Sequence, residues 1–536
     1  MSLTKASYSM ITGAPTNILD WIPVQYHAQI AALDENGPAL ETYIQAAMDS
    51  GAGSIYFPQG YYIIEAPLYI TNDVPGLPAQ AANLTFVGEN RTSTYIACNG
   101  TFTPSPIINP TTGSGIISMF INQSNNGKFS LKNLRFQGNL PAGHVMYSFD
   151  MGTISSTTTQ CLFSGVIEDC WFSLGSTNAG TFYGGLQNYV IANNTFETQK
   201  GCFRLVGLGT VDLHFTNNST FFCYDGFISA AEDVSYKRLI NVSGLNVYGY
   251  YRGPVISATT AENWHISNVT LQTDDVAPLG DIGLFEFNDS YNITIDGFSC
   301  YNGGATALDN VMIFNGTEAK ISNGFIGPCN SGIYMAGNNS SNLTFDNIYI
   351  EGASVASFWH PSGNVGGVIN VMNCSWYNSG GGMFIDQGGS ATYALTFQNS
   401  SFQNAGFQNT SAATRNFSFN TSGNVNFYNC LIGRTSTDAI AAYYIEAGGT
   451  GDFVLTDCTF TALAAPTGDF TGAQVKKIAG GLGNRYRQYY ASAAPTTGTW
   501  SVGDRVFNTV PSVGQPKGWL CTVAGTPGTW VSEGNL

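Results

Sequence analysis

One short pattern constrains the fold of this chain more than any other feature. An apolar residue, a variable residue, and then Asn, Asp or Gly are followed three positions later by another apolar side chain. The instances read LKNLRF, IEDCWF, IANNTF, VSGLNV, ISNVTL, IDGFSC, ISNGFI, FDNIYI, VMNCSW, FQNSSF, FYNCLI and LTDCTF. Their pivots are Asn133, Asp169, Asn193, Gly244, Asn268, Gly297, Asn323, Asn347, Asn373, Asn399, Asn429 and Asp457. A blurred copy at Asn217 fills the one large gap, and successive pivots then lie 24 to 36 residues apart. Gly, Asn and Asp share a tolerance for the left-handed backbone conformation that a sharp strand-to-strand corner needs. Each pivot is therefore predicted to be a corner, with the apolar residues two before and three after it pointing inward. The units lack the leucine spacing of leucine-rich repeats and the continuous periodicity of helical repeats. The expected fold is all-β: a right-handed parallel β-helix, a solenoid of about thirteen coils stacked at roughly 4.8 Å.

Composition agrees. Only 10% of residues are charged and Gly counts 63, which suits strands and tight turns rather than surface helices. The net charge of −16 argues against nucleic acid as a partner. No run of about 18 apolar residues is present, so no membrane insertion is expected, and MSLTKASYSM lacks an apolar signal core. The eleven cysteines are scattered without a CxxC, as in a reduced, cytoplasmically made protein. Cys170, Cys374, Cys430 and Cys458 each follow a pivot directly, where Leu134, Leu245, Val269, Phe298 and Ile348 stand elsewhere. They read as small interior side chains.

The ends differ from the middle. Leu40, Tyr43, Ile44 and Ala47 predict an amphipathic helix over 37–50, ended by Gly51, that caps the open first coil. SIYFPQGYYII reads as the first strand pair and LTFVGEN as an early corner at Gly88. Beyond Lys476 the pivots stop and Pro, Gly and Trp rise. The expected division is 1–80 for the cap and first coil, 81–475 for the β-helix, and 476–536 for a linker and small C-terminal β domain. Trp500, Trp519 and Trp530 could stack on sugars, but tryptophans in such a domain more often form its core or an oligomer contact.

The stretch SYSMITGAPTNILD at 7–20, followed by the helix and IYFPQGYYII, resembles the start of the β-helix in phage tailspike proteins, within the wider pectate-lyase-like superfamily. The segment from Pro495 to Trp530 resembles a C-terminal module of such phage proteins. The resemblance implies a homotrimer on a phage tail or baseplate, attached through a region absent or minimal here, which recognises a bacterial surface polysaccharide (capsule or O-antigen) and cleaves it. It implies a virion location after synthesis in the host cytoplasm. The sequence departs from the superfamily at several motifs. WIPVQYHAQIAALDENGPA replaces the usual acidic, glycine-rich approach to the helix. Asp274 and Asp275 form a pair without the GHG and RIK motifs of polygalacturonases, and YRGPV keeps only Arg252 and Pro254 of the pectate-lyase element. No catalytic residue transfers by motif.

Hydrolysis of a glycosidic bond needs two flanking carboxylates. Stacked coils supply such pairs readily. The best cluster is LQTDDVAPLGDIGLFEF, with Asp274, Asp275 and Asp281 on a long loop. There Glu286 should face outward between the inward Phe285 and Phe287. A second cluster, FFCYDGFISAAEDVSYKR, offers Asp225, Glu232 and Asp233. Four residues after each pivot runs a column containing Glu197, Tyr248, Gln272, Tyr301, Glu351 and Tyr377, where the variable loops begin. With Tyr251, Arg252, Arg204 and Trp264, these are the candidate sugar-binding residues, since aromatic faces stack on sugar rings and Arg binds hydroxyls or carboxylates. A lyase would instead need a cation and a base from Lys200, Arg204, His214, Lys237, Arg238, Arg252 and His265. A non-catalytic spike and a bacterial capsule-modifying enzyme are further alternatives. No cofactor or metal site is expected, because no His/Cys spacing suits zinc and the acidic loop lacks an EF-hand register.

Overall fold

The computed structural model describes residues 15–71, 80–98 and, from 116 to 536, all but 123–125, 139–144, 152–161, 174–177, 184–185, 198–200, 207–210, 222–225, 231–236, 250–252, 274–281, 303–307, 337–340, 361–365, 378–383, 387–391, 404–413, 420–422, 434–440, 448–452, 462–467, 472–474, 478–487 and 498–499. The chain divides into two compact units, Met1–Met312 and Ile313–Leu536.

Both units are parallel β-helix. In the first, each coil passes through three parallel sheets. A strand of the first sheet (Leu162–Glu168, for example) leads through the corner to a short strand of the second (Trp171–Ser173) and then to the third (Asn178–Tyr183). Each strand pairs in register with its counterpart one coil on. In Lys237–Tyr248, His265–Thr273 and Ile293–Asn302 the strand runs unbroken through the corner. The second unit repeats the plan, for instance Ser341–Glu351 leading to Ala353–His360. Among the described residues the third sheet holds fifteen strands, against the thirteen coils expected. The two extra coils come first and turn without a pivot. Gly88 ends its strand at a backbone conformation other than left-handed, and the turn there is closed by Thr94 N–H donating to the Asn90 carbonyl at 2.9 Å.

The corner rule holds at all thirteen pivots. Every one has positive φ, from 49° at Asn399 to 73° at Gly297. The residue two before is buried in each coil, from Leu131 to Leu455. Two pivots are glycine for a reason visible in their surroundings. A Cβ on Gly244 would sit 2.5 Å from Asn217 Oδ1, and one on Gly297 would sit 2.9 Å from Asn268 Oδ1. The neighbouring asparagine already fills the space.

The interior is a stack of like on like. Phe136, Phe172 and Phe196, three residues after successive pivots, stack with centroids 5.0 Å apart; each buried ring contributes about 1.5–3 kcal/mol. The position directly after the pivot also points inward. Cys170, Cys374 and Cys430 are buried there as expected, and Cys458 is half-buried. Two coils place asparagine in this slot instead, at Asn194 and Asn218, both 1% exposed. Asn194 Oδ1 accepts from Cys170 N–H at 2.9 Å, and Asn194 Nδ2 donates to the Ile167 carbonyl at 3.0 Å and to Asn218 Oδ1 at 3.1 Å. Asn218 Nδ2 in turn donates to the Ile191 carbonyl at 2.8 Å. Buried polar groups are thereby paired, as the low-dielectric interior requires.

The predicted cap is present. The helix Glu41–Asp49 buries Ile44, Ala47 and Met48, and Gly51 follows it at φ 83°. Leu40 N–H donates to the Ile63 carbonyl at 2.8 Å, tying the helix to the first coil. Near the C-terminus, Gln488–Ala491, Arg505–Asn508, Gly518–Val523 and Thr529–Ser532 form a separate four-stranded sheet. Val506 and Cys521 are fully buried within it, and Trp500 packs edge-on against Trp530 with centroids 5.0 Å apart.

Candidate functional site

The outer face of the third sheet in the first unit carries a straight column of polar side chains. Arg204 is in register with Ser229, Ser229 with Ser257, and Ser257 with Glu286. Alternation along each strand sets this arrangement. Phe203 and Leu205 flank Arg204 and point inward, as Phe285 and Phe287 do around Glu286. Three coil steps of roughly 4.8 Å separate the cation from the carboxylate, about 14 Å. Asn288 Nδ2 donates to Glu286 Oε1 at 3.1 Å, which fixes the carboxylate's rotamer.

A second column lies on the outer face of the second sheet. Glu197 is in register with Phe221, Phe221 with Tyr248, Tyr248 with Gln272, and Gln272 with Tyr301. Tyr248 and Phe221 stack face to face at 5.4 Å and 11°. Tyr301 is 51% exposed. Segments 222–225, 250–252 and 274–281 join these two sheets in consecutive coils. Asp225, Tyr251, Arg252, Asp274, Asp275 and Asp281 belong to them and lie outside the described residues, as do Glu232 and Asp233 on 231–236. The two columns therefore lie on the two sheets that these segments connect.

Other predicted residues fall elsewhere. Trp264 is 1% exposed, donates its indole N–H to the Lys237 carbonyl at 2.9 Å and packs edge-on against Phe287. It is a core residue and cannot stack on a sugar. Its place, four residues before the pivot, is an inward position of the first sheet. Glu351 and Tyr377 are in register in the second unit, where the Tyr349 hydroxyl donates to Glu351 Oε2 at 3.4 Å. Burial, with the neighbouring Glu351 carboxylate, holds the Tyr349 phenol above its ordinary pKa, so it stays a donor.

Of the described basic residues weighed for a lyase, His214, Lys237, Arg238 and His265 stand on the first sheet and Arg204 alone on the third. His265 is exposed. His214 Nε2 sits 2.8 Å from Asp212 Oδ1 on the first sheet. Lys237 is fully buried. Arg238 pairs with Glu262 at 2.7 Å. Lys200 and Arg252 lie outside the described residues. Among the described residues no group of His, Cys, Asp and Glu suits a metal ion, and no helix is long and apolar enough to cross a membrane.

Sequence reasoning missed Phe221, although it occupies the column four residues after Asn217; the blurred pivot hid it. It also missed a parallel column two residues after the pivots. There Arg135 is in register with Tyr95 on one side and Trp171 on the other. Its guanidinium lies 4.1 Å from the Trp171 ring centroid and 5.3 Å from that of Tyr95. The Trp171 N–H donates to Glu197 Oε2 at 3.0 Å.

No protein-family model and no curated protein sequence matches the chain. Solved structures do. Tailspike protein 2 from the Escherichia coli O157:H7 bacteriophage CAB120 is 11% identical, over 62% of this chain and 42% of that one, with a TM-score of 0.42. The tailspike protein gp49 from Pseudomonas phage LKA1 is 11% identical, over 85% and 84% of the two chains, with a TM-score of 0.39. The catalytic unit of an alpha-1,3-glucanase from Streptomyces thermodiastaticus is 12% identical, over 86% and 69%, with a TM-score of 0.27. Phage tailspikes are thus among the structures to which the chain is similar, as its opening residues anticipate.

Proposed function

We propose that this protein is a homotrimeric phage tailspike that binds a bacterial surface polysaccharide, capsule or O-antigen, and depolymerises it by endo-glycosidic hydrolysis. The observation that carries this reading is the pair of columns on two connected sheets. On one side lie Phe221, Tyr248, Gln272 and Tyr301, and on the other Arg204, Ser229, Ser257 and Glu286. A glycan laid along the solenoid axis meets aromatic faces on one flank and hydrogen-bonding groups on the other. Glu286 serves as one carboxylate of the pair. Its counterpart comes from Asp274, Asp275, Asp281 or Asp225 on the acidic loops. A separation of about 5–5.5 Å would give retention and about 6.5–9.5 Å inversion. Tyr251 and Arg252 add contacts from the loop between, and Asp233 stands in the following segment. Residues 1–80 act as cap, 81–475 as the helix and 476–536 as a separate module. The protein is made in the host cytoplasm and carried on the virion, joined to the tail or baseplate.

Hydrolysis is favoured over elimination because, among the described residues, the basic side chains of the first sheet lie on a different sheet from the two columns and several are engaged there: Lys237 is buried, Arg238 pairs with Glu262 and His214 meets Asp212. A lyase needs a cation on the uronate carboxylate and a base at its C5 proton in one place. The test is incubation with purified capsules and O-antigens from a strain panel, followed by sizing and end-group analysis of the products. Shortened chains with saturated ends, lost in Glu286→Gln while binding and melting persist, support the assignment. Unsaturated ends indicate a lyase. Binding without shortening indicates a recognition spike.

A further inference from the structure

The chain is acidic overall, yet between Glu89 and Asp150 it contains no Asp or Glu, and Arg91, Lys128, Lys132 and Arg135 fall in that stretch. Two of these cations have assigned partners. Lys132 meets Glu168 at 3.0 Å, and Arg91 donates to the Asn193 carbonyl at 3.0 Å. Arg135 is different. Both faces of its guanidinium are taken by rings, Trp171 at 4.1 Å and Tyr95 at 5.3 Å. Its Nε is buried and has no hydrogen-bond partner among the described residues. With a ring over each side and Nε buried, the guanidinium has the edge of its two terminal nitrogens left to offer. That edge is a fork of parallel N–H donors that matches a carboxylate bidentately. The stacking removes the rotamer freedom that an Arg ordinarily loses on binding. The neighbouring Glu197 carboxylate is engaged by the Trp171 indole N–H, one column across.

We infer that Arg135, clamped between Tyr95 and Trp171, is a subsite for the carboxylate of an acidic sugar, and hence that the polymer this protein binds contains uronic acid. The inference rests on the polysaccharide-binding reading above and names the substrate class for it. The subsite lies on the second sheet, in coils that precede Glu286, so it anchors the chain at a distance from the bond cleaved. It is a binding residue, not a catalytic one.

The experiment compares wild-type full-length protein with Arg135→Gln and Arg135→Lys against the polymer selected from the capsule and O-antigen panel. That polymer is presented untreated and after chemical reduction of its carboxyl groups to neutral alcohols. Binding is read by biolayer interferometry and cleavage separately by chain length. Wild type should lose about 10- to 100-fold in affinity for the reduced polymer, the range expected for a charge-assisted pair. Arg135→Gln should lose a similar factor for the untreated polymer and be indifferent to reduction, and Arg135→Lys should recover only part. Because the reduced polymer is tested on unaltered protein, a folding defect in the variants cannot produce the result. The inference fails if the bound polymer is neutral or owes its charge to phosphate. It fails equally if carboxyl reduction leaves affinity unchanged, or if Arg135→Gln binds as wild type does. In each of those cases cleavage of the polymer would still uphold the depolymerase. Absence of any bound polymer in the panel would overturn both.

Discussion

Replacing Asn194 by leucine tests the claim that a buried amide ladder, not volume, holds the fourth to sixth coils together. Leucine already occupies the equivalent slot at Leu134 and Leu245, both buried, so the position accepts its shape. The substitution deletes three hydrogen bonds: from Cys170 N–H, to the Ile167 carbonyl and to Asn218 Oδ1. The bond from Asn194's own N–H to Asn218 Oδ1 survives. Leaving the buried Cys170 N–H unpaired costs about 1–3 kcal/mol, and each of the other two bonds about 0.5–1.5 kcal/mol. The added apolar burial offsets about 1 kcal/mol, so the net loss is about 1–5 kcal/mol. Native-state hydrogen exchange read by mass spectrometry localises it. Peptides covering 162–173 and 186–197 should exchange at least roughly fivefold faster at fixed pH, since 1.4 kcal/mol is a factor of ten. Strands in the C-terminal four-stranded sheet should be unaffected. If the variant protects those peptides as well as wild type, the ladder contributes nothing beyond filling space and the reasoning is wrong.

Other consequences are as direct. At the corner Asn347, φ 56°, glycine should be tolerated within about 1 kcal/mol, whereas valine should cost about 2 kcal/mol or more in denaturant titrations because its branched Cβ opposes the left-handed conformation. Tyr248→Ala should weaken glycan binding by roughly three- to tenfold, from a stacking contribution of about 0.5–1.5 kcal/mol, with no change in product chemistry. Burial pushes the thiols of Cys170, Cys329 and Cys374 up to about 12. In the unfolded chain they ionise near their ordinary value of 9.0, so their contribution is intact below pH 9 and is lost as pH rises from 9 toward 12. Each should add about 1.4 kcal/mol per pH unit to the fall in unfolding free energy over that window, and Cys329→Ala should flatten the slope measured by denaturation at pH 8 to 11.

The corners were legible in the sequence because a left-handed backbone admits so few residue types. Asn133 through Asp457 advertise it at almost every turn, and inward neighbours such as Ile191 and Phe397 follow from position alone. The first two coils were less legible because their corners turn without a left-handed pivot, the second through a hydrogen-bonded turn over Asn90–Thr94 that many residues can form. Trp264 was misjudged for a related reason. Its distance from the pivot assigns it to the interior, but a tryptophan beside charged residues invites a surface role. The Arg135 sandwich escaped notice because Tyr95, Arg135 and Trp171 are far apart in sequence. Only stacking of the coils makes them neighbours. Conversely, Glu286 was placed correctly between Phe285 and Phe287, since strand alternation is a local rule.

The fixed geometry of the corners has a consequence for how such a chain can change. Whether 24 or 36 residues separate two pivots, the next pivot returns the backbone to the same point of the coil. An insertion or deletion between the second and third sheets is thus absorbed within one coil and does not propagate. The segments that connect these sheets can be lengthened, shortened or exchanged as cassettes while the ladder beneath is left alone. On the proposed function, adaptation to a new host glycan can therefore proceed one coil at a time, without refolding the rest.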